Sequence, residues 1–563
     1  MELVFDIEAN GLNEVVINSN PQPEVDKVWC LIIKDISTGK VRTFRQHNIA
    51  KGVDLLRSAS KIIGHNIIAY DIPVLERFYG PIDTQPVDTL VVSRLMYPDR
   101  KNHPFGGNSL KAWGEYLGLN KIDFGGGFLE FTEEMLEYCI RDVDVSCEIY
   151  KYQQKFIEEH PKLIFTEHRV SEIISRQTEN GIGFDLEAAC RLEQELLMEK
   201  ADINDTLCRE FKPIVIERWS EKTGKRLKDK VEYFNPNSRQ QIARRLHDKY
   251  GWVAPLTDKG NPKVDEAVLK KLNYPEAKML SRSFEIEKLH GMLSDWITRA
   301  SMSRDGRVHG SINPQGAVTG RMTASQPNLQ QVSGNPKARA LFQPRSGWVQ
   351  VGIDASGLEA RLLANRMHEW DGGEYGNLVI NGDIHTYNQK QAGLAERNDA
   401  KTFFYALIYG AGNQKIGKII NKGTSAGGQL KKKFLGNMPA LKKLIDKCAF
   451  QVAKKSTITL LDQREVPCRS AHSALNVQIQ GDGAVIMKYA LCFLNKTLED
   501  NYKGRYEFMA TVHDEWQIEC DPAIAEDVGL AGVQSIKKAG EYLGCYVPMD
   551  GEYRVGQNWA DCH

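Results

Sequence analysis

The order of apolar and polar positions divides the chain into regions of different period. Leu3–Ala9 (LVFDIEA) and Val28–Ile36 (VWCLIIKDI) are short strand patterns. They are followed by Lys61–Phe78 and by a helical run that ends in Met135–Gln154. From Lys162 to Phe211 the period is long and helical, with Asn180-Gly181 as a break. His160-Pro161 is the predicted stop between the two helical runs and places a domain boundary at residues 156 to 164. Strand period returns at Trp348–Leu358, and helices dominate from there to Gln451. Glu507–Cys520 (EFMATVHDEWQIEC) predicts a β-hairpin turning at His513-Asp514. No internal repeat or low-complexity tract interrupts this order.

With 563 residues, 42% apolar and 26% charged, the composition is that of several globular domains and excludes a small binding module or a disordered chain. No apolar run is long enough to span a bilayer, and the N-terminus lacks a basic leader followed by an apolar block, so a soluble protein of the cytoplasm with no membrane partner is expected. Eleven cysteines without a CxxC pair argue for reduced thiols rather than a disulfide framework or a structural zinc site. The formal charge is zero, but it is unevenly spread. Lys401–Lys433 holds seven lysines and no acid, Arg209–Lys249 holds twelve basic against six acidic residues, and Glu130–Glu148 holds seven carboxylates and one arginine. Cationic stretches of this kind can attract phosphates, although each taken alone also suits a solvated face.

Two groups of residues carry candidate chemistry. In the strand pattern at the N-terminus a period of two puts Asp6 and Glu8 on one face. That pair alone would suit an acidic edge strand. Asp71 in HNIIAYD joins it, and Asp142 follows Tyr138 by four residues, which on a helix places the two on adjacent turns of one face. Hydrolysis of a phosphodiester needs an activated water and neutralisation of the leaving oxygen, and two divalent ions roughly 3.5 to 4 Å apart supply both. Carboxylates are the natural holders of Mg²⁺. This segment resembles the proofreading 3′-to-5′ exonuclease domains, whose motifs are DxE, a second motif ending in Asp, and YxxxD. The resemblance implies that Asp6, Glu8, Asp71 and Asp142 hold metal and that Tyr138 orients the attacking water.

In the second group Arg397, Lys401, Tyr405 and Tyr409 recur at intervals of four, so a helix would carry two cations followed by two aromatic rings along one stripe. The cations can grip a triphosphate and the rings can pack on sugar and base. The stripe lies between Asp354 in VGIDASGLEAR and Asp514 in TVHDEWQ, and nucleotidyl transfer from a triphosphate requires two such carboxylates for its metals. DASGLEAR, RNDAKTFFYALIYG and VHDE, with TGRMTASQPNLQQ, GDIHT and NVQIQGDGA, closely resemble the motifs of family A DNA polymerases, the group of bacterial DNA polymerase I and the replicative polymerases of short-tailed bacteriophages. The likeness runs over essentially the whole chain.

That resemblance implies an α/β multidomain protein: an RNase H-like exonuclease domain over residues 1–158 and a right-hand polymerase domain over 159–563, with the thumb near 186–310, the palm near 311–376 and 471–563, and the fingers near 377–470. It implies template-directed DNA synthesis from dNTPs with 3′–5′ proofreading, using two Mg²⁺ ions per active site or Mn²⁺ in their place. Asp354 and Asp514, with Glu515 beside them, would bind the catalytic metals. Arg397 and His385 would hold the outgoing phosphates, and Lys401 would neutralise or protonate the leaving pyrophosphate. Glu359 would block a ribose 2′-hydroxyl, Tyr409 would stack at the nascent pair, and the hydroxyl of Tyr405 would ease dideoxynucleotide incorporation. Arg321, Gln480, His513 and Asn476 would touch the minor groove of primer-template DNA. Two rival readings are an exonuclease with a vestigial polymerase half and a noncatalytic DNA-binding scaffold. A phage helicase-primase and a single-strand binding protein are candidate partners. Some phage relatives carry a long thumb insertion that captures a host processivity protein. Here only about two dozen residues separate Phe211 from Tyr233, too few for such a module, so no thumb-docked processivity factor is expected, and the basic residues there are available to duplex DNA.

Overall fold

The computed structural model of the chain describes residues 1–11, 16–17, 20–21, 25–99, 106–119, 124–332 and 334–563. It separates into two compact units. One comprises Met1–Gly183, Arg307–Val332 and Phe342–His563, and the other Phe184–Gly306 and Ser333–Leu341.

In the first unit a mixed five-stranded sheet lies near the N-terminus in the order Val41–Arg45, Val28–Asp35, Glu2–Ala9, Lys61–Gly64, Pro86–Asp88. Glu2–Ala9 pairs antiparallel with Val28–Asp35 and parallel with Lys61–Gly64. Its side chains divide by the period of two. Leu3, Phe5 and Ile7 enter a core with Ile49, Val53 and Leu75, whereas Val4 faces Leu136, Cys139 and Val143 of the helix Glu133–Glu159. Thr132 starts that helix by accepting a hydrogen bond from the Met135 amide, and Glu133 and Glu134 favour its positive end. It stops at His160, and Pro161, which needs no amide partner at a first turn, opens the helix Pro161–Asn180.

The same unit contains an antiparallel four-stranded sheet in the order Tyr506–Val512, Glu515–Cys520, Val349–Ala355, Gly551–Gly556. The first two strands form the expected hairpin, with His513 at a positive φ of 56° in its turn. Ile353 packs one face of this sheet against the helix Ala525–Tyr542, in a core that the helix Ala474–Tyr502 shares. The helix Ala525–Tyr542 comes so close that a Cβ at Gly532 would lie 2.4 Å from Ile353 Cδ1, which explains a glycine inside a helix. A run of shorter helices, among them Ile384–Ala392, Arg397–Ile408, Asn413–Ile419 and Thr424–Asn437, packs onto the same core through Phe403, Phe404, Ile416 and Phe434.

The second unit is built on the long helices Leu186–Glu210 and Pro275–Met302 and the shorter Arg239–Tyr250, around Leu207, Phe211, Phe234, Ile242, Leu246 and Leu280. It also contains an antiparallel hairpin, Ile214–Trp219 with Arg226–Glu232. No described helix is long and apolar enough to cross a membrane.

Candidate active sites

Because Leu3, Phe5 and Ile7 fill one side of the N-terminal sheet, Asp6 and Glu8 are driven to the other, under the helix that carries Tyr138 and Asp142. All four predicted acids, Asp6, Glu8, Asp71 and Asp142, are buried. Donor atoms of Asp6, Glu8 and Cys139 lie within 4.8 Å of one another. Asp71 joins the strand by accepting the Ile7 amide through Oδ1 at 3.1 Å. The Tyr138 ring lies 5.6 Å from that of Phe124. Burial, followed by the charges of Asp71, Glu8 and Asp142, drives the Asp6 pKa well above the carboxylate range. Burial also pushes Asp71 up to about 7, with the Ile7 hydrogen bond opposing it and the Asp88 charge reinforcing it. Cys139 is the residue that sequence reasoning missed. Its thiol donates to Asp6 Oδ2 at 3.5 Å, and its spacing of three from Asp142 would have placed it on the same helix face.

In the second sheet Asp354 sits at the end of the central strand, opposite Glu515 on one side and Glu552 on the other. The Ala355 amide donates to the Asp514 carbonyl at 3.1 Å, which ties the hairpin turn to the end of that strand. Burial, then Asp514, Glu515 and Glu552, push the Asp354 pKa up to about 7, and burial raises that of Asp514. Glu515 is held from behind by Trp559 Nε1 at 2.8 Å, by Gln517 and by His563 Nδ1 at 3.2 Å. Among the described residues, Asp6, Asp71, Asp354 and Asp514 form no ion pair with a lysine or arginine. Two crowded carboxylate sets that resist ionisation are suited to divalent ions with oxygen ligands, which would relieve that repulsion.

Arg321, Glu359, His513 and Asp514 line a common cavity with Met322 and Trp516. Within it Glu359 is clamped: Arg321 Nη2 donates to Oε1 at 3.0 Å and the Tyr409 hydroxyl to Oε2 at 2.6 Å. Arg397, Lys401 and Tyr405 lie on the helix Arg397–Ile408 as the spacing predicts, and Tyr409 follows its last residue. The rings of Tyr405 and Tyr409 stack at 6.3 Å, and the His385 ring lies 6.1 Å from Tyr405. Burial and the charges of Lys401 and Arg397 lower the His385 pKa, so its ring is kept neutral more readily than a free histidine. Arg397 makes a two-point contact with Asp383, at 3.1 and 2.9 Å, and Asp383 also caps the helix Ile384–Ala392. Asp383 is a second residue missed from sequence. Its cap position was legible in GDIHT, but its partner lies 14 residues on. Asn476 and Gln480 lie one turn apart on the helix Ala474–Tyr502.

Residues 210–561 match the family model of DNA polymerase family A. Over 100% of both chains the sequence is 30% identical to the DNA-directed DNA polymerases of Enterobacteria phage T3 and of Escherichia phage T7. It is similar in fold to the solved POL domain of Pol1 from M. smegmatis, in complex with DNA primer-template and dNTP, with a TM-score of 0.79 and 17% identity over 99% of this chain and 96% of that one. The chain belongs to DNA polymerase family A.

Proposed function

We propose that this family A DNA polymerase extends a primer 3′-hydroxyl along a DNA template from dNTPs, and that the same chain removes nucleotides from a 3′ end at its N-terminal sheet. The observation that carries this reading is the pair of buried carboxylate sets, one on each sheet, in which burial and then mutual repulsion hold Asp6 and Asp354 above the ordinary carboxylate range. Divalent ions, Mg²⁺ or Mn²⁺, held by Asp354 and Asp514 in one site and by Asp6, Glu8, Asp71 and Asp142 in the other, would supply an activated oxygen nucleophile and neutralise charge on the leaving oxygen.

Around them the chain's own side chains divide the work. Arg397 exchanges Asp383 for the triphosphate of an incoming dNTP, with His385 beside it, and Lys401 gives a proton to the departing pyrophosphate. Glu359, fixed by Arg321 and Tyr409, occupies the place a ribose 2′-hydroxyl would need, which selects deoxynucleotides. Tyr409 stacks on the nascent pair, while His513, Gln480, Asn476 and Arg321 read minor-groove acceptors common to all correct pairs. In the N-terminal site Tyr138 orients water. We assign residues 1–158 to the exonuclease and 159–563 to the polymerase, with the thumb near 186–310, the palm near 311–376 and 471–563 and the fingers near 377–470. The work is that of phage replication in a bacterial cytoplasm, where a helicase-primase and a single-strand binding protein would be its companions.

An end-labelled primer on a longer template tests the two-site reading. Asp514→Ala should lower extension about 10³-fold or more and leave shortening intact, because a metal-held carboxylate supports several kcal/mol of transition-state charge. Asp6→Ala should do the reverse. Loss of both activities in both variants would overturn it. Shortening alone by the unaltered chain would favour the vestigial-polymerase reading.

A further inference from the structure

The loop that delivers Asp71 is shaped by a single carboxylate. It runs from the strand Lys61–Gly64 to the helix Asp71–Tyr79, and Asn66 within it takes a positive φ of 70°. The amides of Asn66 and Ile68 both donate to Asp88, to Oδ1 at 2.9 Å and to Oδ2 at 3.1 Å. Asp88 Oδ1 also accepts the Leu90 amide at 2.9 Å and so caps the helix Thr89–Met96. Asp88 is buried, and three backbone amides surround its charge. Beyond Asn66 and Ile68 the turn closes on itself, with the Tyr70 amide on the Asn66 carbonyl at 3.2 Å and the Ile72 amide on the Ile67 carbonyl at 2.9 Å. A displacement of Asp88 is therefore passed through hydrogen bonds to Asp71.

What fixes Asp88 lies outside the first 158 residues. Asp88 ends Pro86–Asp88, an edge strand of the five-stranded sheet, and an edge leaves backbone groups with no strand to pair with. The Asp88 amide donates instead to Nε2 of His168, on the helix Pro161–Asn180, at 2.8 Å. Nδ1 of the same ring lies 2.8 Å from the Ile164 carbonyl, an oxygen that can only accept. Nδ1 therefore carries the proton, Nε2 offers its lone pair, and the ring is neutral. Burial lowers the His168 pKa against the pull of the Asp88 charge and keeps it so. One residue earlier on the helix, Glu167 accepts Lys488 of the helix Ala474–Tyr502, which anchors the backbone that carries His168.

We propose that His168 is a positioning residue of the exonuclease site: by holding the Asp88 amide it fixes the carboxylate that shapes Asn66–Ile68, and thereby the place where Asp71 meets a metal ion. The inference rests on the exonuclease reading and deepens it, since the N-terminal site then depends on a residue beyond the segment assigned to it. Partners of this kind set the affinity for an ion without touching it, because they fix the orientation of the groups that do.

Two substitutions in the full chain separate the lone pair from the volume it occupies. His168→Gln brings a carbonyl oxygen to the place of Nε2, whereas His168→Asn, one methylene shorter, reaches only the place of Nδ1. For metal binding, each is made in a chain that also carries Asp354→Ala and Asp514→Ala, so that Mn²⁺ titrated by electron paramagnetic resonance reports on the N-terminal site. For kinetics, each is made alone, and single-strand shortening and primer extension are measured. His168→Asn should weaken Mn²⁺ binding about tenfold and lower kcat for shortening about as much, with KM for the strand within about twofold of the parent. His168→Gln should stay within about threefold of the parent in both, and extension should be the same in all three chains. Mn²⁺ affinity and kcat unmoved in His168→Asn, or lowered equally in His168→Gln, would overturn the proposal. A matching loss of extension would overturn it too, since it would mark a residue that supports the fold at large. If the unaltered chain shortens no strand and its Mn²⁺ binding is indifferent to Asp6→Ala, the exonuclease reading itself fails and takes this inference with it.

Discussion

Replacing Glu167 by glutamine would break a buried charge network that joins segments far apart in the chain. Glu167, on the helix Pro161–Asn180, is fully buried and accepts Lys488 Nζ at 2.8 Å on each oxygen, Arg464 Nη1 at 2.5 Å and Gln315 Nε2 at 2.8 Å. Burial alone would raise its pKa, but Lys488 and Arg464 more than offset that and bring it from 4.5 to about 2. The pKa of Lys488 is lowered too, because burial, helped by the Arg464 charge, outweighs the attraction of Glu167. Lys488 is fully buried and ion-paired to Glu167 at 2.8 Å. A displacement from 4.5 to about 2 corresponds to roughly 3 kcal/mol of stability carried by the ionised form. Removing one partner of a buried pair costs about 3–5 kcal/mol, because the other charge stays behind in a dry site. The two magnitudes agree.

A chain of two units does not unfold in one step, so the loss should be read locally. Hydrogen exchange of the amides in Pro161–Asn180 and Ala474–Tyr502 should quicken on the order of 10²–10³-fold in Glu167→Gln at pH 7. The pH dependence has a definite sign. Since the folded-state pKa lies below the ordinary value, the stabilisation is complete above about pH 4.5 and disappears as the pH falls toward 2, so wild type should approach the variant on acidification. A double variant Glu167→Gln/Lys488→Met, which removes the stranded ammonium, should recover much of the loss. Exchange within threefold of wild type in the single variant would refute the reasoning.

Asp383→Ala should remove a helix cap worth about 1 kcal/mol and free Arg397 from the contact it gives up for the triphosphate, lowering KM for dNTP several-fold with a smaller effect on kcat, as read by steady-state extension. Tyr405→Phe should lower dideoxynucleotide incorporation relative to dNTP by at least tenfold in a competition assay. Equal discrimination in the two forms would sink the role given to that hydroxyl.

The parts of the two sites that could be read from sequence are those fixed by local period. Asp6 and Glu8 had to share a face because Leu3, Phe5 and Ile7 take the other, and Tyr138 and Asp142 had to share a helix face because they are four apart. The turn at His513-Asp514 was legible because two alternating runs flank it. Cys139 was hidden by its own chemistry. A buried cysteine on the apolar side of a helix reads as core, and it is core, packed with Val143 and Leu136 while its thiol points at Asp6. The hairpin Ile214–Glu232 was hidden for the opposite reason, since with charged and apolar residues on both faces it has no buried side to generate an alternation. The Glu167 network leaves no sequence trace of either kind. Its members stand 297 and 321 residues from Glu167, and a lysine within the apolar helix Ala474–Tyr502 is intelligible only once the carboxylate from the other helix is in place. Periodicity reports which face of an element is buried. It is silent on which buried faces meet, and the charges that cannot be buried alone are where that missing information is stored.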